Sequence, residues 1–228
     1  MNRLRLTRHT HCCFTPDGAI LLDLRSDRYS AIPEAQSRAL ALLLGSGAGE
    51  DESLRSVADA LLERNLVTWD EASGKAYAPL GIELTGKVLL DQVTRPPRIG
   101  VLHVVRFLKS CIAVHVALRR RSFEYAIHRA TKRKRQGRLY AGRVDLERAT
   151  TLVQIARQVR SFLFTAHKRC LYDSLVLADF LAQYGLYPAI VVGVATKPFR
   201  AHCWIQHAGI AFNSDEQDIT QYTPLLAI

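Results

Sequence analysis

A cysteine, a histidine and two Asx residues stand near the C-terminal end of the sequence in an order that could support acyl transfer. Cys170 begins an amphipathic helical pattern, and unpaired N–H groups and the dipole at a helix start favour a thiolate. His202 follows 32 residues later in a strand pattern, and Asn213 and Asp215 come after it. A thiolate, an imidazole base and a group that orients the imidazole form a cysteine-type triad. We therefore predict Cys170, His202 and either Asp215 or Asn213 as catalytic residues.

The neighbouring Cys and His residues fit this chemistry less well. Cys203 alternates with His202 along the strand and should point into the core. His167 lies close to Cys170 in sequence but precedes the helix in a loop, where no strand would position it. A zinc site made of Cys170, His202 and Cys203 lacks a chelating spacing. We expect no metal and no cofactor.

The elements around these residues are predicted from periodicity and caps. Cys170 begins a helix that should end at Gly185, a favourable C′ residue. Asp145 is a good N-cap for a helix over residues 146–164, and the apolar spacing predicts another helix from Ile99 to Tyr125. Three strands are expected at the C-terminal end, over residues 189–195, 201–206 and 209–212.

The first 80 residues have their own pattern of strands and helices. The predicted strands are His9–Thr15, Ala19–Leu24 and Arg28–Ile32, the predicted helices begin near Glu34 and at Ser53, and a last short strand is predicted over Leu66–Trp69. This pattern predicts a small winged-helix-like module with three strands and about three helices. The whole chain is then α+β, with a domain over residues 1–80, a linker over 81–98 and a second domain over 99–228.

Positive charge is concentrated in one segment. The chain has a formal net charge of +10, and residues 118–143 hold ten Lys or Arg against one acid, which is +9. Gly137 and Gly142 favour a mobile, solvated loop over residues 129–143. A basic arm on a winged-helix protein could bind nucleic acid, but the predicted N-terminal helices hold several acids. We expect no nucleic-acid partner. Residues 118–143 could instead make a peripheral contact with a membrane surface or with an acidic protein.

The compartment is inferred from cysteines and apolar runs. Five Cys residues do not suggest a disulfide framework, and the adjacent Cys12 and Cys13 are predicted to be small buried strand residues. No secretory signal pattern is visible, and the apolar runs are too short to span a bilayer. These observations predict a cytoplasmic protein.

The C-terminal residues together resemble the lasso-peptide B proteins. The matching positions are Cys170, Ser174, Leu175, Gly185, Val191-Val192-Gly193-Val194, Ala201-His202, Trp204, Asn213 and Tyr222-Thr223-Pro224-Leu225-Leu226. The N-terminal module resembles the leader-binding element of the same family, which is similar to the small chaperone of pyrroloquinoline quinone biosynthesis. Its matching positions are Asp17-Gly18, Leu22-Asp23-Leu24 and Arg28-Tyr29.

The resemblance implies a fused protein: a leader-recognition element followed by a papain/transglutaminase-like cysteine peptidase. Its substrate would be the leader segment of a ribosomally made lasso-peptide precursor, and its partner an ATP-dependent macrolactam cyclase of the asparagine-synthetase-like type. An extended leader could add to the edge strand over residues 28–32, in a groove formed with the helix that begins at Ser53. The predicted leader-binding residues are Arg28, Tyr29, Ser30, Ala31, Ile32, Leu54, Val57 and Leu61.

The sequence departs from the family pattern at the third triad member. The family ends this strand in Asn-Asp, whereas here Ser214 follows Asn213 and Asp215 comes one place later. A slip of one residue reverses the face of a strand on which a side chain lies. Either a bulge turns Asp215 inward or Asn213 orients His202 through its amide. A true transglutaminase would share the same triad.

Overall fold

The computed structural model of the protein describes residues 3–45, 52–82, 89, 97–138, 145–163, 170–214 and 219–228. These residues form a mixed helix and sheet protein. The chain folds as two compact units. The first unit comprises Met1–Gly81, Val194–Arg200 and Thr223–Leu226, and the second comprises Ile82–Gly193, Ala201–Tyr222 and Ala227–Ile228.

The secondary-structure elements follow one another in this order along the chain. They are β1 (Arg5–Thr7), β2 (Thr10–Thr15), β3 (Gly18–Asp23), β4 (Arg28–Pro33), α1 (Glu34–Gly45), α2 (Glu52–Glu63), β5 (Val67–Thr68), β6 (Gly74–Lys75), α3 (Val101–Arg120), α4 (Phe123–Arg138), α5 (Leu146–Leu163), α6 (Cys170–Ala182), β7 (Ala189–Thr196), β8 (Phe199–His207), β9 (Ile210–Ala211) and β10 (Thr223–Ala227).

The first unit contains two small antiparallel sheets. One has the strand order β5-β1-β6 and the other the order β2-β3-β4, with Cys12 opposite Leu21 in the second sheet. The apolar faces of α1 and α2 pack on these sheets, because their leucines recur at helical spacing. Leu40, Leu44 and Leu61 are at most 2% exposed in this core.

The strand count of this unit differs from the prediction. Residues 3–82, in the part that the structure describes, form six strands and two helices rather than three strands and about three helices. Strands β1 and β6 were not expected, because each is three residues or fewer and pairs with a distant segment. The adjacent Cys12 and Cys13 are buried strand residues, as predicted.

Helices α5 and α6 begin and end largely where the caps predict, whereas the helix predicted from Ile99 to Tyr125 is broken into α3, which ends at Arg120, and α4, which begins at Phe123. Asp145 accepts a hydrogen bond from the N–H of Arg148 at 3.1 Å, which caps α5. After α6, Gly185 has a φ of +79°, and the N–H of Leu186 reaches back to the carbonyl of Leu181 at 3.1 Å. This is the Schellman arrangement in which a residue without Cβ is favoured at C′.

The C-terminal strands belong to a sheet of four, in the order β10-β7-β8-β9. The prediction of three strands was therefore wrong. Strand β10 is the fourth, and it lies on the far side of β7 from β8. The segment was missed because its five residues, Thr223–Ala227, include a proline and carry no turn signal that marks a strand.

Residues 129–138 of the basic segment are helical, which corrects the prediction of a loop there, and residues 139–143 lie outside the described part of the chain. Helix α4 extends to Arg138, and its Arg129 and Arg133 both form ion pairs with Asp179 of α6, which is 8% exposed. Gly137 marks a packing contact instead of a loop, since a Cβ at this position would lie 2.0 Å from the ring of Tyr187.

One helix in the described part of the chain, α3, is long and apolar enough to cross a membrane, judged by length and composition alone. In the second unit it packs against α4, α5 and α6. Its Ser110 donates to Asp179 at 2.9 Å, and Gln183 donates to Ser110 at 2.7 Å. The inner face of α3 therefore holds buried polar contacts.

Candidate active site

Cys170 is the first residue of α6 and is half-buried. Leu175, Phe180 and Leu181 in the same helix are at most 4% exposed, so the helix is fixed by its apolar side chains. The first-turn N–H groups of a helix have no partners within it and favour negative charge. The sequence thus places a half-buried thiol at the first residue of a firmly packed helix.

His202 lies in β8, and the described residues that hold it include a hydrogen-bonding hydroxyl and two aromatic rings. Its Nε2 is 2.8 Å from the hydroxyl oxygen of Ser214. The ring of Trp204 stacks with it at a centroid distance of 5.9 Å, and the ring of Tyr222 lies at 5.3 Å. These contacts restrict the orientation of the imidazole.

The aromatic rings beside His202 depend on a glycine in the neighbouring strand. A Cβ on Gly193 would lie 2.9 Å from the ring of Trp204 and 3.0 Å from the Cβ of Tyr222. Trp204 is fully buried, and its indole N–H donates to the side-chain oxygen of Gln206 at 2.7 Å. A side chain at position 193 would displace the tryptophan that stacks on the histidine.

A small hydrogen-bonded clip joins α6 to β8 next to the predicted catalytic pair. One turn after Cys170, the hydroxyl of Ser174 donates to the backbone carbonyl of Cys203 at 2.8 Å. Asn213 donates from Nδ2 to the Ser174 oxygen at 2.9 Å and accepts from the N–H of Ile205 at 2.8 Å. Ser174 is fully buried, so the clip fixes the start of α6 against the strand that contains His202.

Cys203 lies in the core beside the clip. Its thiol is 2% exposed, as expected for a core residue on the opposite strand face from His202. Burial raises the pKa of Cys203 to about 12, so this thiol is a packing residue rather than a nucleophile.

A cleft of about 230 Å³ in the second unit opens beside His202. Apolar side chains of α3, α5 and α6 form much of its wall. Two charged groups in it pair with each other: Arg160 is 3.0 Å from Asp173. Tyr172 also lines the cleft, and its hydroxyl donates to the carbonyl of Cys111 at 3.1 Å. The lining residues are Phe107, Cys111, Val153, Ala156, Arg157, Arg160, Tyr172, Asp173, Val176, Leu177, His202, Phe212, Asn213 and Ser214.

Of the two candidates for the third triad member, the structure describes Asn213 but not Asp215. Asp215 falls outside the described residues. The described hydrogen bonds of the Asn213 side chain go to Ser174 and Ile205 and not to the imidazole. In the described part of the chain, Ser214 is the residue whose side chain is hydrogen-bonded to Nε2 of His202.

The predicted leader-binding residues divide into two groups. Arg28, Tyr29, Ser30, Ala31 and Ile32 lie in β4, an edge strand of its sheet among the described residues, and are half-buried or exposed. Leu54, Val57 and Leu61 of α2 are at most 8% exposed and pack in the core of the first unit. Those three residues therefore support α2 from inside and do not present side chains to solvent.

Ser214 and the clip role of Ser174 and Asn213 were not found from the sequence. Strand β9 ends at Ala211 and the next three residues bend, so the alternation that assigns faces in a strand does not apply to Asn213 and Ser214. The available signal was the hydroxyl side chain at Ser214, where the resembling family has a carboxylate. No three His, Cys, Asp or Glu groups come together as possible metal ligands within the residues that the structure describes.

Comparison with known protein families finds a match for the second half of the chain. The model of the transglutaminase-like superfamily matches residues 110–227, which is more than half of the sequence. The protein therefore belongs to the transglutaminase-like superfamily. The matched region contains Cys170, His202 and the clip, and this family is compatible with a cysteine peptidase. No curated protein and no solved structure matches the chain.

Proposed function

We propose that the protein is a cysteine peptidase that binds and removes the leader peptide of a ribosomally made lasso-peptide precursor. It would act together with an ATP-dependent macrolactam cyclase of the asparagine-synthetase-like type. The family membership supports the class of chemistry, and the resemblance of both ends of the chain to lasso-peptide B proteins supports the substrate. The winged-helix-like character of the first unit and its role in leader binding are part of this proposal.

The main structural support is the clip formed by Ser174, Asn213 and β8. It uses one fully buried side chain, Ser174, and one half-buried side chain, Asn213, to hold α6 one turn after Cys170 against the strand of His202. Buried polar groups are costly unless they are hydrogen-bonded, so such a network is favoured where relative position matters. A thiol and an imidazole must be held within hydrogen-bond reach for nucleophilic catalysis.

In the proposed mechanism, the Cys170 thiolate attacks the carbonyl of the last leader residue. The new C–S bond forms as the C–N bond breaks, and His202 gives its proton to the departing amine of the first core residue. Water, deprotonated by His202, then cleaves the thioester and releases the leader acid. The backbone N–H of Cys170 is one donor for the oxyanion.

Leader recognition is assigned to the exposed part of β4. An extended peptide can add to an edge strand through backbone hydrogen bonds, and β4 presents its outer edge over residues 28–32. Arg64, just after α2, donates to the hydroxyl of Ser30 at 2.5 Å. The exposed border between β4 and the end of α2 is thus polar, and a leader would contact this border rather than the buried Leu54, Val57 and Leu61.

Two other functions share some of these features. A true transglutaminase would use the same nucleophile and base but would transfer a glutamine acyl group to an amine. A nucleic-acid-binding protein would use the basic segment, yet Arg129 and Arg133 are engaged with the buried Asp179. The second alternative is the weaker one, since those two cations are not available to phosphates.

The proposal is tested by incubating the full-length protein with a leader-bearing lasso precursor, with and without the cyclase and ATP, and weighing the products by mass spectrometry. We expect separate leader and core masses with the wild type and intact precursor with Cys170→Ala. The alanine variant should still bind the leader. A mass gain equal to that of the added amine minus about 17 Da for the released ammonia, with no leader release, would instead identify a transamidase.

A further inference from the structure

Helix α3 has an unusual outer face. Six large apolar side chains along it are exposed, and five of them recur every three or four residues. These side chains and their exposed fractions are Val101 (80%), Leu102 (58%), Val105 (54%), Leu108 (39%), Ile112 (65%) and Val116 (40%). Single exposed apolar residues are ordinary, but a contiguous exposed stripe indicates a binding surface.

The stripe lies opposite the buried side of the same helix. At 3.6 residues per turn, Val101, Val105, Leu108, Ile112 and Val116 fall within about 80° of one another and extend over about 22 Å. The buried side of α3 contains Phe107, Ser110, Cys111, Val114 and Ala117. The fold of the second unit therefore uses one face of α3 and leaves a second apolar face, which we call the α3 outer face, without a role in its core.

The inner side of α3 argues against a membrane-spanning role for this helix. Ser110 is bonded to Asp179, which is paired with Arg129 and Arg133. Charged groups at the centre of a bilayer are costly, and a spanning α3 would bring this network there. A helix that lies flat in the membrane–water interface needs only its outer apolar face in contact with lipid.

The charges beside the outer face identify its occupant. The sequence of α3 contains four Lys or Arg residues and no acid. Lys109, Arg119 and Arg120 are exposed and fall within or close to the angular range of the stripe. Lys132 and Arg135 add exposed cations on α4. A second copy of the chain would oppose the same positive charges, whereas an anionic surface would neutralise them.

We propose that the α3 outer face is a membrane-contact surface that binds bilayers containing anionic lipid. Its aliphatic side chains would enter the headgroup boundary, and the lysine and arginine side chains would contact lipid phosphates. This assignment places the membrane contact mainly on α3, with the basic segment as an electrostatic supplement. It does not depend on the peptidase proposal.

Vesicle flotation tests the proposal with the full-length protein. The vesicles contain either phosphatidylcholine alone or phosphatidylcholine with phosphatidylglycerol at a ratio of about three to one. The test variant is Val105→Gln/Ile112→Gln, whose positions are exposed and leave the core unchanged. The matched control is Leu42→Gln on α1, since Leu42 is 55% exposed and Val105 is 54% exposed. Circular dichroism melting verifies that both variants are folded.

We expect the wild type and Leu42→Gln to bind the anionic vesicles, and the double variant to bind about tenfold more weakly. Neutral vesicles should bind less, and raising the salt from about 50 to about 500 mM should weaken binding to the anionic ones. Equal binding by the double variant, or no binding of the wild type, would overturn the proposal. A dimer that dissociates in the double variant, without vesicle binding, would overturn it in favour of self-association.

Discussion

The hydroxyl oxygen of Ser214 lies 2.8 Å from Nε2 of His202, so a neutral side chain occupies the place next to the imidazole. A carboxylate in such a place would stabilise the imidazolium form, whereas a hydroxyl mainly fixes the ring orientation and tautomer. Ser214 is 7% exposed, and its hydrogen bond to the half-buried His202 is partly shielded from water. This bond acts together with the rings of Trp204 and Tyr222 to orient His202.

Removing this hydroxyl should slow the reaction without weakening substrate binding. We expect Ser214→Ala to lower kcat about ten- to a hundredfold with KM little changed, because a misoriented base costs rate in the chemical step. Ser214→Thr keeps the hydroxyl and should retain more of the rate. Leader-release kinetics measure both. Equal kcat values for the wild type and Ser214→Ala would show that another group orients His202.

The clip should contribute to stability as well as to position. Ser174→Ala removes the donor to the Cys203 carbonyl and the acceptor for Asn213, and leaving buried polar groups unpaired costs about 1–3 kcal/mol. Thermal unfolding followed by circular dichroism should show a lower Tm. Ser161→Ala is the control, since Ser161 is exposed and bonds only within its own helix in the described contacts. A Tm for Ser174→Ala equal to that of Ser161→Ala would contradict a stabilising clip.

The cysteines should differ sharply in reactivity. Burial raises the pKa of the Cys13 thiol and of the Cys203 thiol to about 12. Burial also raises the pKa of Cys12 and of Cys111. Cys170 is half-buried at a helix start. Only a thiolate is alkylated at a useful rate, so brief iodoacetamide treatment at neutral pH should modify Cys170 first and stop leader release. Peptide mapping by mass spectrometry measures this order, and prior labelling of Cys203 or Cys111 would refute it.

Lys75 should make the first unit more stable as the pH rises above 8. Burial lowers the pKa of Lys75 from 10.5 to about 8; Nζ donates to the Arg8 carbonyl at 3.1 Å and lies 3.3 Å from Nε2 of His11. Between these pKa values the unfolded chain binds a proton that the folded chain lacks, so raising the pH favours the folded state. Below about pH 8 the folded chain must charge this buried amine.

Replacing Lys75 with methionine tests the sign of this effect. We expect Lys75→Met to be more stable than the wild type at pH 7, with the difference shrinking between pH 8 and pH 10. Urea unfolding of both proteins at several pH values gives the difference directly and cancels the titration of the cysteines. A difference that stays constant over this range would mean that Lys75 is not perturbed in the folded state.

The parts of the fold that could be predicted are those set by neighbouring residues. Asp145 and Gly185 were predicted as caps of α5 and α6, and the structure confirms both. A cap needs only a side chain or a φ value within one turn of the helix end, so its signal lies in a few adjacent positions.

The parts that were missed depend on partners far away in the chain. Gly137 looked like a loop residue, but it lies in α4, where the ring of Tyr187 leaves no room for a Cβ. The cations of α4 looked solvated, but two of them face a carboxylate 46 or more residues later. The contact of Ser214 with His202 depends on a bend after β9, which strand alternation does not describe.

Asp179 restricts which substitutions this sequence can accept during evolution. It is a nearly buried carboxylate that serves α3 through Ser110 and α4 through Arg129 and Arg133. Loss of the two arginines would leave a buried carboxylate without a counter-charge, and such a loss costs several kcal/mol. Among relatives, positions 129 and 133 should therefore vary only together with position 179. The other cations of α4 can drift independently, and a shortened protein without α4 would need a neutral residue at 179.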